Sequence, residues 1–147
     1  MKSILLLAAL AAGMLAPIQA GLNARMGKAL TDPLYAALIS FFTGTLCLLV
    51  ICLARGTDFS RVTQGLDVPW PVWGAGLLGA FYVSATLILT PRLGAALTFA
   101  LVVAGQLLAA LVIDHYGLFN IPVQEISWVR ILGIALITAG VVLIRRF

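Results

Sequence analysis

An all-α membrane protein with five transmembrane helices per chain is the fold class the sequence predicts, on three observations. Of the 147 residues, 63% are hydrophobic and only 10% charged, which is more apolar surface than a water-soluble fold of this length can hide. Five apolar stretches each approach the roughly 20 residues that cross hydrocarbon as a helix. The Lys and Arg residues stand at the ends of those stretches, where membrane helices are anchored at headgroups. In a soluble domain a net charge of +4 would suggest nucleic acid. Spaced in this way the charges fit lipid, so the bilayer is the expected partner and nucleic acid is not.

The first helix is expected over about residues 3–30. Within it, "APIQAGLNARMGKAL" (16–30) resembles the cleavage region of a secretory signal, with Lys2 and an apolar run from Ile4 to Leu15 ahead of it. Ile18, three residues before the supposed cut after Ala20, is bulky where a small residue is wanted. Helical periodicity also continues through Leu22, Met26, Ala29 and Leu30. Residues 1–20 are therefore expected to be retained in a helix reaching roughly 40 Å. Pro17 should bend or locally break it, and Arg25 and Lys28 can snorkel outward near its end.

The second helix, about 33–54, is opened by Asp32-Pro33, a cap followed by a proline at the first helical position. Cys47 and Cys52 lie five residues apart on roughly opposite faces of it, which suits buried packing thiols better than a disulfide or a metal site. The only long polar stretch, "RGTDFSRVTQGLDVP" (55–69), leads to the third helix, about 70–90, which Pro91 closes. The fourth and fifth helices are expected over about 93–113 and 126–144. Trp70, Trp73 and Trp128 fall where indoles favour the membrane interface. No second copy of the five-helix unit is visible, so residues 1–147 are expected to form a single transmembrane domain. Small residues recur in the spans, among them Gly13, Gly76, Ala80, Ala100, Ala104, Gly133 and Gly140; they allow close helix approach.

Five spans put the termini on opposite faces. Lys2, Arg55, Arg61 and Arg130 then share one side, and Arg25, Lys28, Arg92, Arg145 and Arg146 the other. Four against five is almost no positive-inside bias, so the chain is expected to insert both ways and to pair with itself as an antiparallel homodimer. That dimer would be a ten-helix inverted repeat, the arrangement larger transporters build by internal duplication. The alternative is a single orientation set by Arg145-Arg146 or by the insertion context.

The pieces "PIQAGLNARMGKAL" (17–30), "ALISFFTGTL" (37–46), "PWPVWGAGLLGAFYV" (69–83), "PRLGAALTFALVVAGQL" (91–107), "IDHYGLF" (113–119) and "RILGIALITAGVVLI" (130–144) resemble the YdcZ-like family. This is the half-size, five-helix branch of the drug/metabolite transporter superfamily. The resemblance covers essentially the whole chain. It implies a bacterial inner-membrane protein acting as a ten-helix unit of two copies, and it leaves the substrate undefined.

Polar side chains in hydrocarbon are costly and direct attention to function. Measured by helix rise from the carboxyl-terminal face, Ser40 should lie about 10 Å deep, Tyr82 about 12 Å, Gln19 about 16 Å and Gln106 about 21 Å. Asn23, one turn beyond Gln19, lines the approach. These five are the candidate substrate-binding residues, and amides with a phenol suit a neutral polar or zwitterionic small molecule. No Asp, Glu, Lys or His lies in the middle of a span, so the central carboxylate of small multidrug exporters of related topology has no counterpart. Asp114 and His115, which match the family's "IDH" element, and Arg130, a partner for Asp114 or Glu125, are the candidates for gating or titration. No catalytic triad, phosphate loop or metal-ligand cluster is visible; neither an enzyme nor a cofactor is expected. The leading expectation is a secondary transporter or facilitator working by alternating access. A dual-topology ion channel, with Phe41, Phe42, Thr43 and Thr45 along its pore, is the alternative. A non-transporting membrane subunit is the second.

Overall fold

The computed structural model describes residues 2–146, with the side chains of Thr63, Gln64, Leu66 and Asp67 left outside the description. The regular structure among the described residues is helical. The α-helices are α1 (Lys2–Ala29), α2 (Pro33–Ala54), the single turn α3 (Trp70–Trp73), α4 (Ala75–Leu93), α5 (Ala95–Tyr116) and α6 (Trp128–Arg146), with 3-10 segments at Phe59–Asp67 and Leu118–Asn120. Five segments are long and apolar enough to cross a membrane, α3 and α4 counting together as Trp70–Leu93. They form two compact units, Met1–Pro91 and Arg92–Phe147.

In the first unit α1 and α2 form a tight hairpin. Leu30 N–H donates to the Met26 carbonyl (2.9 Å), and Thr31 takes a left-handed φ of 61°. Asp32 Oδ1 then accepts from Leu34 N–H at 2.8 Å, with Pro33 just behind the cap. The sequence signal for this start is thus the one the structure uses. Along α1 the buried residues are Ala20, Asn23 and Gly27, one stripe at helical spacing, and α2 buries Ala36 and Ala37. Small residues on both faces let the backbones close in. A Cβ on Gly27 would lie 3.1 Å from Pro33 Cα and 3.7 Å from Ala36 Cβ. Leu87 of α4, 2% exposed, packs on Ala36 and Ala37, with Ala24 and Val83 beside them.

Several expectations need correction. Pro17 does not break α1, whose helical conformation runs unbroken from Lys2 to Ala29. A proline removes one hydrogen bond and crowds the carbonyl four residues back. Here that residue is Gly13, and the helix continues through both positions. Pro91 does not close α4, which continues to Leu93; the stop is Gly94, at φ 83°. Helix α5 begins at Ala95 and runs one turn past Ile113, to Tyr116, because Gly117 is the residue that takes the left-handed cap (φ 59°). A side chain there would also collide with Val123. Helix α6 starts at Trp128, not at 126, since Ser127 caps it: Arg130 N–H donates to Ser127 Oγ at 3.3 Å. Cys47 is exposed and Cys52 half-buried, both as free thiols, so Cys47 does not pack inside its own chain.

The polar stretch after α2 contains a 3-10 segment, Phe59–Asp67. Asp58 caps the 3-10 segment, accepting from Ser60 N–H at 2.9 Å. Hydrogen bonds from the Ser60 side chain and backbone hold the Asp58 carboxyl below its ordinary range.

Gly27 sets how closely α1 and α2 approach. Gly27→Ala should lower the thermal stability of the purified protein by about 1–3 kcal/mol, because the backbone of Pro33 must move. Gly44→Ala, which adds a methyl into open space, should not. Equal melting temperatures for the two variants would show that the hairpin is not tight.

Candidate functional site

Four of the five proposed substrate residues belong to the first unit. Gln19 and Asn23 lie on α1, Ser40 on α2 and Tyr82 on α4. Gln19 Nε2 donates to Ser40 Oγ at 3.2 Å, a polar bridge between the first two spans. Gln19 stands ten residues before the end of α1 and Ser40 seven after the start of α2, so they lie about 15 and 10 Å from those helix ends. Gln19 remains exposed and Ser40 half-buried, and the Gln19 side-chain oxygen makes no hydrogen bond among the described residues. One turn on, Asn23 is 6% exposed and its Nδ2 finds no hydrogen-bond partner among the described residues. An amide donor without a partner in an apolar interior is expensive.

Tyr82 is half-buried and makes no hydrogen bond among the described residues. It stands eleven residues before the end of α4, about 16 Å from it and deeper than a helix ending at Thr90 would place it. Thr86 and Thr90 follow at intervals of four. Thr86 Oγ1 donates to the Val83 carbonyl at 2.9 Å, whereas the buried Thr90 Oγ1 has no partner among the described residues. Thr90 is a polar group that the sequence reading missed. Its spacing from Tyr82 and Thr86 was the available signal.

The remaining candidates belong to the second unit. Gln106 lies eleven residues into α5, about 16 Å from its start, and its exposed side chain makes no hydrogen bond among the described residues. Asp114, His115 and Arg130 come together around the loop before α6. Arg130 Nη2 donates to Asp114 Oδ2, and Arg130 Nη1 donates to the Gln124 carbonyl at 3.0 Å. Gln124 N–H returns to the Asp114 carbonyl at 2.9 Å, and His115 Nδ1 accepts from Ile126 N–H at 3.4 Å. Arg130 therefore pairs with Asp114 and not with the exposed Glu125. This arrangement is a clasp that ties the loop to the ends of both helices. A cleft of about 240 Å³ beside it is apolar apart from Arg130, with Leu107, Leu111, Ile134 and Ile137 in its walls.

No group of three or more potential metal ligands occurs among the described residues. The hydroxyls that a pore would use donate to their own helix, Thr43 to the Ile39 carbonyl at 3.0 Å and Thr45 to the Phe41 carbonyl at 2.8 Å. That commits their protons and gives the channel reading no support.

A family model described as "Putative inner membrane exporter, YdcZ" matches residues 4–143. The inner membrane protein YdcZ of Escherichia coli (strain K12) is 29% identical over 147 residues, covering 99% of this chain and 97% of the relative. No solved structure matches.

The clasp should behave as a coupled unit. Asp114→Asn and Arg130→Gln should each lower thermal stability, and the double variant should lose less than their sum, with a coupling of about 0.5–3 kcal/mol. Strict additivity in unfolding of the three variants would remove the clasp.

Proposed function

The chain belongs to the YdcZ family, and from that premise we propose that it is a secondary transporter exporting a small polar or zwitterionic metabolite by alternating access. It is a multi-pass protein of the inner membrane, of a transporter family and not an enzyme family. The observation that carries the substrate site is the Gln19–Ser40 hydrogen bond at depth between two membrane spans. A side-chain amide left exposed there has little to gain from lipid; a solute with both donors and acceptors supplies what lipid lacks. Tyr82 and Asn23 offer further groups from the same unit. Gln106 is assigned the same role because it carries the same chemistry at a similar depth along its own helix. Binding would replace the Gln19–Ser40 bond by bonds to the solute and so couple occupancy to the packing of α1 on α2.

The working unit in this proposal is an antiparallel homodimer. An odd number of spans and a nearly even division of basic residues allow both orientations. In a twofold inverted pair the inward-open and outward-open forms are one structure with the protomers exchanged. The Asp114–Arg130 clasp keeps a supporting part, holding the α5–α6 loop at the surface while the helices move.

Two experiments test this reading. In purified protein stabilised by a ligand from a metabolite screen, Gln19→Leu and Gln106→Leu should each abolish the ligand-induced rise in melting temperature while leaving the dimer assembled. An undiminished rise in both variants would remove the site. Carboxyl-terminal reporter fusions should be active on both sides of the membrane, and two lysines added to the loop after α1 should drive the population to one orientation. A wild-type chain found in a single orientation would overturn the antiparallel dimer.

A further inference from the structure

The segment between α2 and α3 carries a feature that transport does not require. Phe59–Asp67 is a 3-10 helix, so residues three apart stand in one row. Phe59, Val62 and Gly65 share a row, and Val68 follows at its end. Phe59 is 44% exposed, Val62 58% and Val68 40%. Ser60 and Arg61 fall off this row. The segment also folds back: a Cβ on Gly65 would meet the Trp73 ring at 3.1 Å. The indole thus extends the apolar row onto α3. Gly65, Val68, Val72 and Trp73 line a shallow hollow of about 300 Å³ that is almost wholly apolar.

We infer that this segment lies in the bilayer interface, with the row Phe59–Val62–Val68 and the Trp70 and Trp73 rings set into the lipid. Its place in the chain supplies the occupant. The second span ends at Ala54 and the third begins at Trp70, so both ends of the intervening stretch are fixed at one face of the membrane. An apolar row held there, continuous with the Trp73 indole, meets headgroups and the first acyl carbons. The attraction is apolar. Arg61 faces Asp58 at 4.0 Å, and over the whole loop Arg55 and Arg61 are matched by Asp58 and Asp67, so anionic lipid gains nothing. The segment serves as a float that sets the depth of the second and third spans, and the inference does not depend on the identity of the solute.

The test uses the full chain in phosphatidylcholine nanodiscs, which leave both faces open to solution. Trp70, Trp73 and Trp128 are replaced by Phe, and Val62→Trp supplies the reporter, with Phe59→Trp as a second reporter. Emission from either should be blue-shifted, quenched more by lipids brominated near the headgroup end of the acyl chain than near its terminus, and barely touched by iodide. Arg61→Trp in the same background should be quenched by iodide, and adding phosphatidylglycerol should change none of these values. Iodide quenching of both reporters would place the row in water. Protection from iodide and bromolipid alike would show that protein covers it, and a need for phosphatidylglycerol would show that charge holds it. Each of these three results overturns the inference.

Discussion

Hydrocarbon offers no partner to a peptide group, so every backbone donor and acceptor within the bilayer has to be satisfied by the chain. The five long helices are the solution to that constraint, and most other features follow from it. Once helices are formed, lipid and leucine are equivalent neighbours, and no hydrophobic force drives one helix onto another. Contact must then come from shape. The stripe of Ala20, Asn23 and Gly27 on α1 against Pro33, Ala36 and Ala37 on α2 supplies it, because only small side chains allow the backbones so near. Large apolar residues such as Leu5, Leu48 and Leu78 face outward, the reverse of a soluble protein and what the bilayer demands.

The same constraint explains why polar groups carry information here. A hydroxyl can return its proton to a carbonyl of its own helix, as Thr43, Thr45, Thr86 and Thr138 do, and so disappear into the backbone. A glutamine or asparagine amide has more groups than one such bond can absorb. Gln19 reaches across to Ser40 with its side-chain oxygen unused among the described residues, and the buried Asn23 Nδ2 has no partner among them. Asp114 and Arg130 solve the problem differently, by meeting each other at the membrane surface and taking the backbone of Gln124 into the pair. The proposed solute site thus draws on the polar groups that are left unfinished among the described residues, and not on those that are completed.

Much of the fold was legible in the sequence because span length and apolar runs are set by the bilayer itself. The cap at Asp32-Pro33 was legible because both of its residues act locally. Errors arose where a local rule met a neighbour. Pro17 reads as a break, yet α1 stays helical across it. Pro91 reads as a stop, yet a helix in lipid loses more by ending early than by missing one bond, and it runs on to Gly94. Gly117 and Ser127 held the boundaries of the last loop, and both are ordinary stop and start residues passed over in favour of hydropathy. In the site, Gln19, Asn23 and Ser40 were legible as polar residues on neighbouring spans. The bond between Gln19 and Ser40 was not, since it depends on how far the α1–α2 seam closes. The choice of Asp114 over Glu125 by Arg130 likewise depends on the turn at Gly117.

The case for a second copy is strongest where the single chain leaves the constraint unmet. Gln106 stands at depth on α5 with its side chain exposed and no hydrogen bond among the described residues, and its neighbour Gly105 has open space where a Cβ would be. Lipid cannot answer a glutamine, and a glycine facing lipid forgoes contacts that leucine would have made. Both choices become sensible if α5 faces protein or a solute pathway. The proposed antiparallel pair would offer such a face with no second gene product. The near-even split of basic residues permits that inversion, and a sequence with a strong charge bias would forbid it. The weak topology signal and the exposed amide are thus the two features on which the proposed pairing of this chain with its inverted copy rests.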